Sequence, residues 1–299
     1  MKYAYYSGCS LEATAKEYNQ SVKLVARHLG VELWEIPDWS CCGATAAHNK
    51  DHLLSLALPA RNLAIAEAEG LDVAVPCAAC FSRLRAAETA VRESKEMQAT
   101  ISQVIGREYR GTNRTRAFLD IMVNVVGLEK IKEQVVKPLA GMRLAAYYGC
   151  LLVRPPAMTA FDDPEDPMTM DRLINALGGE AVSWSYKTEC CGGSLSTARG
   201  DIGARMIYQI LRHARDAGAE GVVTACPLCF LNLDMRAAAA AAAAGDQLNL
   251  PIFYFTELMG LAMGYAPKDL GLNSHFVNPI PALAAREILR HPATRREPA

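Results

Sequence analysis

All ten cysteines of this 299-residue chain belong to two copies of one pattern. Each copy has a single Cys, then Cys-Cys-Gly, then Cys-x-x-Cys. The first copy comprises Cys9, Cys41, Cys42, Cys77 and Cys80, and the second comprises Cys150, Cys190, Cys191, Cys226 and Cys229. In both copies 34 residues separate the Cys-Cys pair from the Cys-x-x-Cys. This repeated order and spacing predicts two equivalent sites that bind metal through thiolates.

The number of cysteines in each copy restricts which kinds of metal centre they can form. Thiolates bind zinc, iron–sulfur clusters and other soft metals. A structural zinc ion takes four ligands, and a cubane [4Fe–4S] cluster takes four cysteines, typically in a compact run. Each copy instead offers five cysteines in three separate segments, which favours a larger or less symmetric centre. A disulfide framework is disfavoured, because the cytosol keeps thiols reduced and a chain of this length needs no cross-links to fold.

The composition is that of a water-soluble globular protein, with 51% hydrophobic residues, 21% charged residues and a net charge of −1. No basic excess indicates a nucleic-acid partner. The first residues lack the apolar core of a secretory signal, and no stretch of about 18 apolar residues predicts a transmembrane span. We therefore expect a cytoplasmic protein.

The segments before the cysteines predict how the sites are built. An apolar run ends at each single Cys, YAYYSGC and LAAYYGC, and further strands are predicted in VELWEIP, AVSWSY, LDVAVPC and GVVTAC. Helices are predicted between them, over residues 11–30, 53–69 and 202–217 and from each Cys-x-x-Cys onward. Each half therefore reads βαβαβα, so the fold class is α/β with two pseudo-symmetric halves and parallel sheets. Ligands of such sheets bind beyond the C-terminal strand ends, where every cysteine group is expected.

The domain organisation follows from the same repeat. We expect a first cysteine-rich half at 1–113, a helical linker at 114–140, a second half at 141–290 and a flexible tail at 291–299. Because 39 residues separate Cys150 from Cys190, against 31 between Cys9 and Cys41, the extra residues are assigned to a Pro-rich loop at 154–168 near the second site. The alanine run 237–244 is expected to end a helix, and 250–264 to form a strand and an apolar helix of the core.

The two motifs resemble the CCG domain of the B-type subunit of heterodisulfide reductase, over nearly the whole chain from YYSGC to FTELMGLAMG. The resemblance implies that each half holds one noncubane [4Fe–4S] cluster through its five cysteines. It also implies a pocket between the clusters in which a disulfide is cleaved or formed by two one-electron transfers, with catalytic roles for Cys41, Cys42, Cys190 and Cys191. Zinc in one of the two sites is the alternative.

The resemblance further implies partners. No dinucleotide-binding glycine loop or Walker A motif is present, so neither flavin nor NAD is expected on this chain. Electrons would come from a cubane-cluster subunit of the C type and, through it, from a flavoprotein subunit of the A type. The expected substrate is a disulfide or a lipoyl protein, and a bacterial sulfur-oxidising type is favoured. One alternative is an electron-transfer subunit of a membrane-associated dehydrogenase that passes electrons towards quinone, and another is a metal-stabilised scaffold.

Four further side chains lie near the motifs in sequence. His48 and His52 follow the first Cys-Cys-Gly and are candidate proton donors. Arg154 and Arg199 flank the second site and are candidates for holding an anionic group. For all four, an ordinary exposed surface position is the favoured interpretation.

Overall fold

The computed structural model describes residues 1–44 and 46–289, and these contain two four-stranded parallel sheets. The strands of the first sheet are β1 (Lys2–Tyr5), β2 (Glu32–Glu35), β3 (Val73–Val75) and β4 (Thr115–Ala117), and those of the second are β5 (Arg143–Tyr147), β6 (Glu180–Ala181), β7 (Gly221–Thr224) and β8 (Ile252–Tyr254). The strand order is β2-β1-β3-β4 in the first sheet and β6-β5-β7-β8 in the second. The predicted α/β class with two similar parallel halves is confirmed.

Each sheet has a fourth strand. Strand β8 was predicted within 250–264, whereas Thr115–Ala117 lies in the segment predicted as a helical linker and pairs with β3 as β4. Three residues are too few to show a strand pattern, so β4 forms by pairing with β3 rather than by local propensity.

The strand predicted over 181–186 needs correction. The observed β6 begins one residue earlier and ends at Ala181, because only Glu180–Ala181 pair with β5.

The helices lie largely where the apolar spacing predicts them. They are α1 (Gly8–Ala13), α2 (Lys16–His28), α3 (Ala47–Lys50), α4 (His52–Ala68), α5 (Ala78–Glu93), α6 (Lys95–Ile105), α7 (Phe118–Asp120), α8 (Leu128–Glu133), α9 (Pro156–Thr159), α10 (Thr169–Ala176), α11 (Leu195–Ala198), α12 (Gly200–Asp216), α13 (Pro227–Met235), α14 (Ala237–Ala243), α15 (Phe255–Ala262) and α16 (Ile280–Ala285). A π-helix at Ile121–Gly127 joins α7 to α8, and two 3₁₀ turns occupy Pro267–Leu270 and Leu272–Ser274.

Two helix predictions need correction. The single helix expected over 11–30 is two helices, because the backbone N–H groups of Thr14 and Ala15 both bind the Ser10 carbonyl and end α1 there. The alanine run is a separate helix, α14, rather than the tail of α13. The tail predicted at 291–299 lies outside the described residues.

The central strands are buried on both faces, as parallel sheets covered by helices require. The side chains of the central strand β3 are at most 1% exposed, and those of β8, at the edge of the second sheet, are fully buried as well. Met259 on α15 is also fully buried, so the aromatic and Met residues of 250–264 belong to the core as expected. Within the described residues, no helix combines the length and apolar character needed to cross a membrane.

Each half packs a helix against the other half. After β8, α15 lies on α2 of the first half, and after β4, α8 lies on α10 of the second half. Ser21 and Thr256 share a buried hydrogen bond of 2.7 Å between their hydroxyls, and the ring of Tyr18 stacks on Tyr254 with centroids 3.9 Å apart. These reciprocal contacts hold the C-terminal edges of the two sheets near each other.

A buried ion pair fixes the segment that follows α15. His275 Nε2 lies 3.0 Å from Glu257 Oε1, and both side chains are fully buried. Burial alone would lower the pKa of His275, but the charge and hydrogen bond of Glu257, with Asp234 and Glu17, raise it overall. Burial in turn raises the pKa of Glu257 more than His275 lowers it. The pKa of His275 is raised by a partner that it gains only on folding, so the folded protein binds its proton more tightly than the unfolded chain does. Protonation of His275 therefore stabilises the fold.

Candidate metal centre

The two single cysteines follow the first strand of each half through a glycine. Gly8 precedes Cys9 with φ +69°, and Gly149 precedes Cys150 with φ +64°. A Cβ at Gly8 would lie 3.3 Å from Cys80 Sγ, and a Cβ at Gly149 would lie 3.1 Å from Cys229 Sγ. Each glycine therefore lets the backbone approach the last sulfur of its own half, in a conformation that side chains rarely adopt.

The Cys-Cys pairs lie on loops beyond the edge strands β2 and β6. Five residues separate β2 from Cys41, and eight separate β6 from Cys190. The backbone N–H of Gly43 donates to Cys41 Sγ at 3.5 Å, and that of Gly192 donates to Cys190 Sγ at 3.3 Å. Backbone N–H groups aimed at sulfur stabilise thiolates and tune a bound cluster.

Two buried tyrosines tie these loops to the first strand of each half. Tyr6, three residues before Cys9, donates its hydroxyl to the carbonyl of Ser40 at 2.8 Å. Tyr147, three residues before Cys150, donates to the carbonyl of Glu189 at 2.6 Å. Both carbonyls belong to the residue before a Cys-Cys pair. Sequence reasoning missed this role, although both copies carry the same Tyr position, in YYSGC and YYGC.

The Cys-x-x-Cys pairs begin helices at the ends of the central strands β3 and β7. Cys77 is the N-cap residue of α5, and Cys226 is the N-cap residue of α13 with Pro227 in its first turn. Cys80 and Cys229 follow within the first turn of the same helices. The unpaired N–H groups and the dipole at a helix N-terminus favour thiolate. Of these four cysteines, only Cys226 has a lowered pKa. The pKa values of the other three are raised, first because they share protons with neighbouring cysteines: Cys77, Cys80 and Cys229.

Within each half, the structure brings the distant cysteines together. Cys42 and Cys80 have their sulfurs 3.3 Å apart, and Cys191 and Cys229 have theirs 3.6 Å apart. Asn232 adds a donor in the second half only, with its Nδ2 3.5 Å from Cys191 Sγ. No sequence signal identifies Asn232, because the first half has Arg83 at the matching position.

The two cysteine sets also meet each other across the halves. Cys77 and Cys226 are both buried and lie close enough for each thiol to shift the pKa of the other. Tyr18 lies beside this pair, donates to the Pro76 carbonyl at 3.2 Å and stacks on Tyr254. The expected gathering of cysteines at the strand ends is thus present, and it forms one continuous group rather than two separate ones.

Neighbouring sulfurs stabilise thiolates in this group. Hydrogen bonds from Cys41 and then Cys80 lower the pKa of Cys42 to about 3, and a hydrogen bond from Cys150 lowers the pKa of Cys190 to about 6. The pKa values of Cys41 and Cys150 are raised in return, because each shares its proton with that partner. The thiolate is the form that binds metal, so the partners whose pKa values are raised must lose their protons when a cation binds.

In each half, one pair of sulfurs is spaced as a tetrahedral metal ion requires. Two thiolates on one tetrahedral ion with bonds of about 2.3 Å have sulfurs about 3.8 Å apart, close to the 3.3 and 3.6 Å separations here. Within residues 1–44 and 46–289, no three His, Cys, Asp or Glu side chains converge on one point as ligands of a single ion. That result applies to sites for a single metal ion. The cysteines instead form a larger set of donors, in which sulfurs of distant residues contact one another.

The two halves differ in how exposed their cysteines are, and only the second half has the Pro-rich insertion. Cys9 and Cys41 are exposed, whereas Cys150 and Cys190 are only partly so. The Pro-rich insertion is held to the second site by Lys187, three residues before Cys190, whose Nζ lies 2.9 Å from Asp166 and 3.1 Å from Asp171. The predicted loop near the second site therefore has a definite anchor.

The four other candidates lie at the surface. His48 and His52 are exposed on α3 and at the start of α4. Arg154 pairs with Glu165 at 3.0 Å, and Arg199 pairs with Asp201 at 2.8 Å. These positions agree with the surface interpretation, and a direct role for any of them stays a prediction.

Comparison with known proteins places this geometry in a family. A family model described as a cysteine-rich domain, CCG, matches residues 3–85 and again residues 144–234. The 8-methylmenaquinol:fumarate reductase membrane anchor subunit of Wolinella succinogenes is 32% identical, over 93% of this chain and 97% of that protein. The B-type subunit of the ferredoxin:CoB-CoM heterodisulfide reductase of Methanosarcina mazei is 30% identical, over 95% and 96%.

A solved structure shares the fold. A hypothetical protein from Helicobacter pylori superimposes with a TM-score of 0.72 at 15% identity, covering 93% of this chain and 52% of that one. Similarity at this identity concerns the fold alone. The two matched domains each contain a complete set of five cysteines, and such cysteine-rich domains imply iron–sulfur clusters. The chain therefore belongs to the family of heterodisulfide reductase B-type subunits, proteins with two CCG domains.

Proposed function

We propose that this protein is the catalytic iron–sulfur subunit of a heterodisulfide-reductase-type complex, which cleaves or forms a disulfide. The observation that carries the proposal is the proximity of the buried Cys77 and Cys226, because it brings two complete sets of five cysteines next to each other across the halves. Cys9, Cys41, Cys42, Cys77 and Cys80 would hold one noncubane [4Fe–4S] cluster, and Cys150, Cys190, Cys191, Cys226 and Cys229 would hold the other.

The two clusters, when bound, would each supply or accept one electron. Cleaving a disulfide needs two electrons and two protons and yields two thiols, which matches a pair of one-electron centres. The chain's own residues set the geometry: Tyr6 and Tyr147 fix the Cys-Cys loops, and Gly8 and Gly149 let the backbone approach the last sulfur of each half. The exposed Cys9 and Cys41 leave the first site open to a substrate or partner.

Electrons would reach this chain from other subunits. Relatives named as subunits of heterodisulfide reductases support a multi-subunit complex. A cubane-cluster subunit and a flavoprotein subunit are the partners we propose, and a disulfide or lipoyl protein is the proposed substrate. The bacterial sulfur-oxidising type stays a prediction.

One observation favours a second function. The relative from Wolinella succinogenes is named as part of a quinol:fumarate reductase, and it aligns over nearly the full length of both chains. On this alternative the chain would pass electrons to or from a quinone in a dehydrogenase complex. Reduction of the quinone also takes two electrons and two protons, so the same paired centres would serve.

The test offers both acceptors to the same protein. Anaerobically purified, dithionite-reduced protein freed of excess reductant is mixed with oxidised lipoamide or with a soluble menaquinone analogue. The proposal predicts oxidation by lipoamide with two thiols formed per two electrons, and loss of this activity in Cys191→Ser. Ser194→Ala, an exposed change on the same loop, should react like the unaltered protein. Oxidation by the quinone alone would contradict disulfide chemistry and support the second function.

A further inference from the structure

A cleft separate from the cysteine group lies between the first half and the Pro-rich insertion. It has a volume of about 200 Å³ and is lined by α5, by β4 with the residue before it, and by the segment that follows α9. Four arginines line it: Arg85 and Arg92 on α5, and Arg114 and Arg116 at β4. Typical sites for drug-sized ligands measure about 300–1,000 Å³, so a ligand here would be small.

Two of the arginines are held in place by a buried carboxylate. Arg85 Nη1 lies 2.6 Å from Glu88 Oε1, and Arg92 Nη1 lies 2.5 Å from the same atom. Glu88 is fully buried and also accepts the backbone N–H of Thr115 at 2.8 Å. One carboxylate thus serves two guanidinium groups, which leaves one positive charge uncompensated and fixes both side chains.

The other two arginines add a further unbalanced charge. Arg116 pairs with Asp120 at 2.8 Å, whereas the exposed guanidinium of Arg114 has no ion pair among the described residues. Asp72 binds the backbone N–H of Arg114 but does not line the cleft. Among the lining residues and their ion-pair partners, four guanidinium groups against two carboxylates leave a net charge of +2.

Strand alternation sorts the side chains of β4 at the cleft. Arg114 and Arg116 are two residues apart and therefore share one face of the strand. The hydroxyl of Thr115, between them, is buried and does not open into the cleft. The donors available there are guanidinium groups, which are the usual partners of an oxyanion.

The charge and the walls identify the kind of ligand. A phosphate monoester carries about −1.5 to −2 at neutral pH, so it complements this positive excess, which the nearby Asp72 carboxylate reduces only in part. Phe81, directly after Cys80, and Phe161, from the insertion, provide apolar walls beside the arginines. We propose that this cleft binds the phosphate group of a small organic phosphate, with Arg114 and Arg116 as its donors. The proposal goes beyond the disulfide chemistry and does not depend on it.

Calorimetric titration of the full chain with inorganic phosphate and with phenyl phosphate tests the assignment. Both should bind, and phenyl phosphate more tightly because of the two phenylalanine rings. Arg114→Gln and Arg116→Gln should each weaken binding by about tenfold. Arg212→Gln, which removes an exposed arginine outside the cleft lining, should bind like the unaltered chain.

Three results would overturn the proposal: no binding of either phosphate, binding by Arg114→Gln as tight as by Arg212→Gln, or acetate bound more tightly than phosphate. Because Arg114 is exposed and has no ion pair among the described residues, its variant is expected to fold even if Arg116→Gln, which breaks the pair with Asp120, does not. Vesicles that contain phosphatidic acid distinguish a lipid source. If they capture the unaltered chain but not Arg114→Gln, while phenyl phosphate does not bind, the ligand is a lipid headgroup and the small-molecule assignment is wrong.

Discussion

Replacing Gly149 by Ala should destabilise the second site, because the added Cβ meets a cysteine sulfur. Gly149 has φ +64°, and an added Cβ would lie 3.1 Å from Cys229 Sγ and 3.6 Å from the Tyr147 ring. The backbone conformation alone costs a side chain about 1–2 kcal/mol, and overpacking against buried neighbours adds about 1–3 kcal/mol. The total expected loss in the free energy of unfolding is about 2–5 kcal/mol.

A matched glycine separates the two contributions. Gly245 has a similar φ of +70°, but an added Cβ there meets nothing within 4 Å. Gly245→Ala should therefore lose only about 1–2 kcal/mol and keep its metal. Gly149→Ala should also displace Cys229 and so lose about half of the iron, falling from about eight atoms per chain to about four.

The assay is urea unfolding together with iron analysis of anaerobically purified protein. The reasoning is refuted if Gly149→Ala retains full iron and unfolds like Gly245→Ala, because Gly149 would then have no special relation to the sulfur. Gly8→Ala provides the equivalent test for the first half. An added Cβ there would lie 3.1 Å from the Tyr6 ring and 3.3 Å from Cys80 Sγ, so we expect a similar loss of stability but a smaller loss of iron.

Further predictions concern residues around the site. Lys187→Met leaves the buried Asp171 unpaired and should cost about 3–5 kcal/mol in urea unfolding, with part restored by adding Asp171→Asn; no loss would contradict this. Tyr147→Phe and Tyr6→Phe each remove one hydrogen bond to a Cys-Cys loop and should cost about 1 kcal/mol; larger losses would indicate a packing role. The pKa of His275 is raised in the folded protein, so its protonated form stabilises the fold. This stabilisation is complete below the unfolded pKa of about 6.5 and is lost as pH rises through the folded pKa. His275→Gln should remove that decline, and an unchanged pH profile would refute it.

The cysteine pattern was enough to predict the site's position. A single Cys or a Cys-x-x-Cys follows each of the central strands β1, β3, β5 and β7, and the carboxyl ends of parallel strands meet at one edge. The repeat therefore predicts that residues as far apart as Cys42 and Cys80 are neighbours. Strong apolar runs also predicted the core strands, since those strands are buried on both faces.

What the sequence did not predict depends on contacts between distant segments. Strand β4 has three residues and forms because β3 offers an unpaired edge, which no local pattern reveals. The proximity of Cys77 and Cys226 arises because α15 packs on α2 and α8 packs on α10, and pairings between helices of different halves leave no spacing signal. Asn232 lacks a counterpart in the first half, so the repeat could not identify it.

The most direct test of the central claim is a combined iron, zinc and acid-labile sulfide analysis of the full chain purified without oxygen. Two [4Fe–4S] clusters require about eight iron and eight sulfide atoms per chain, with no stoichiometric zinc. About two zinc ions per chain and no sulfide would contradict the assignment of iron–sulfur clusters to the ten cysteines.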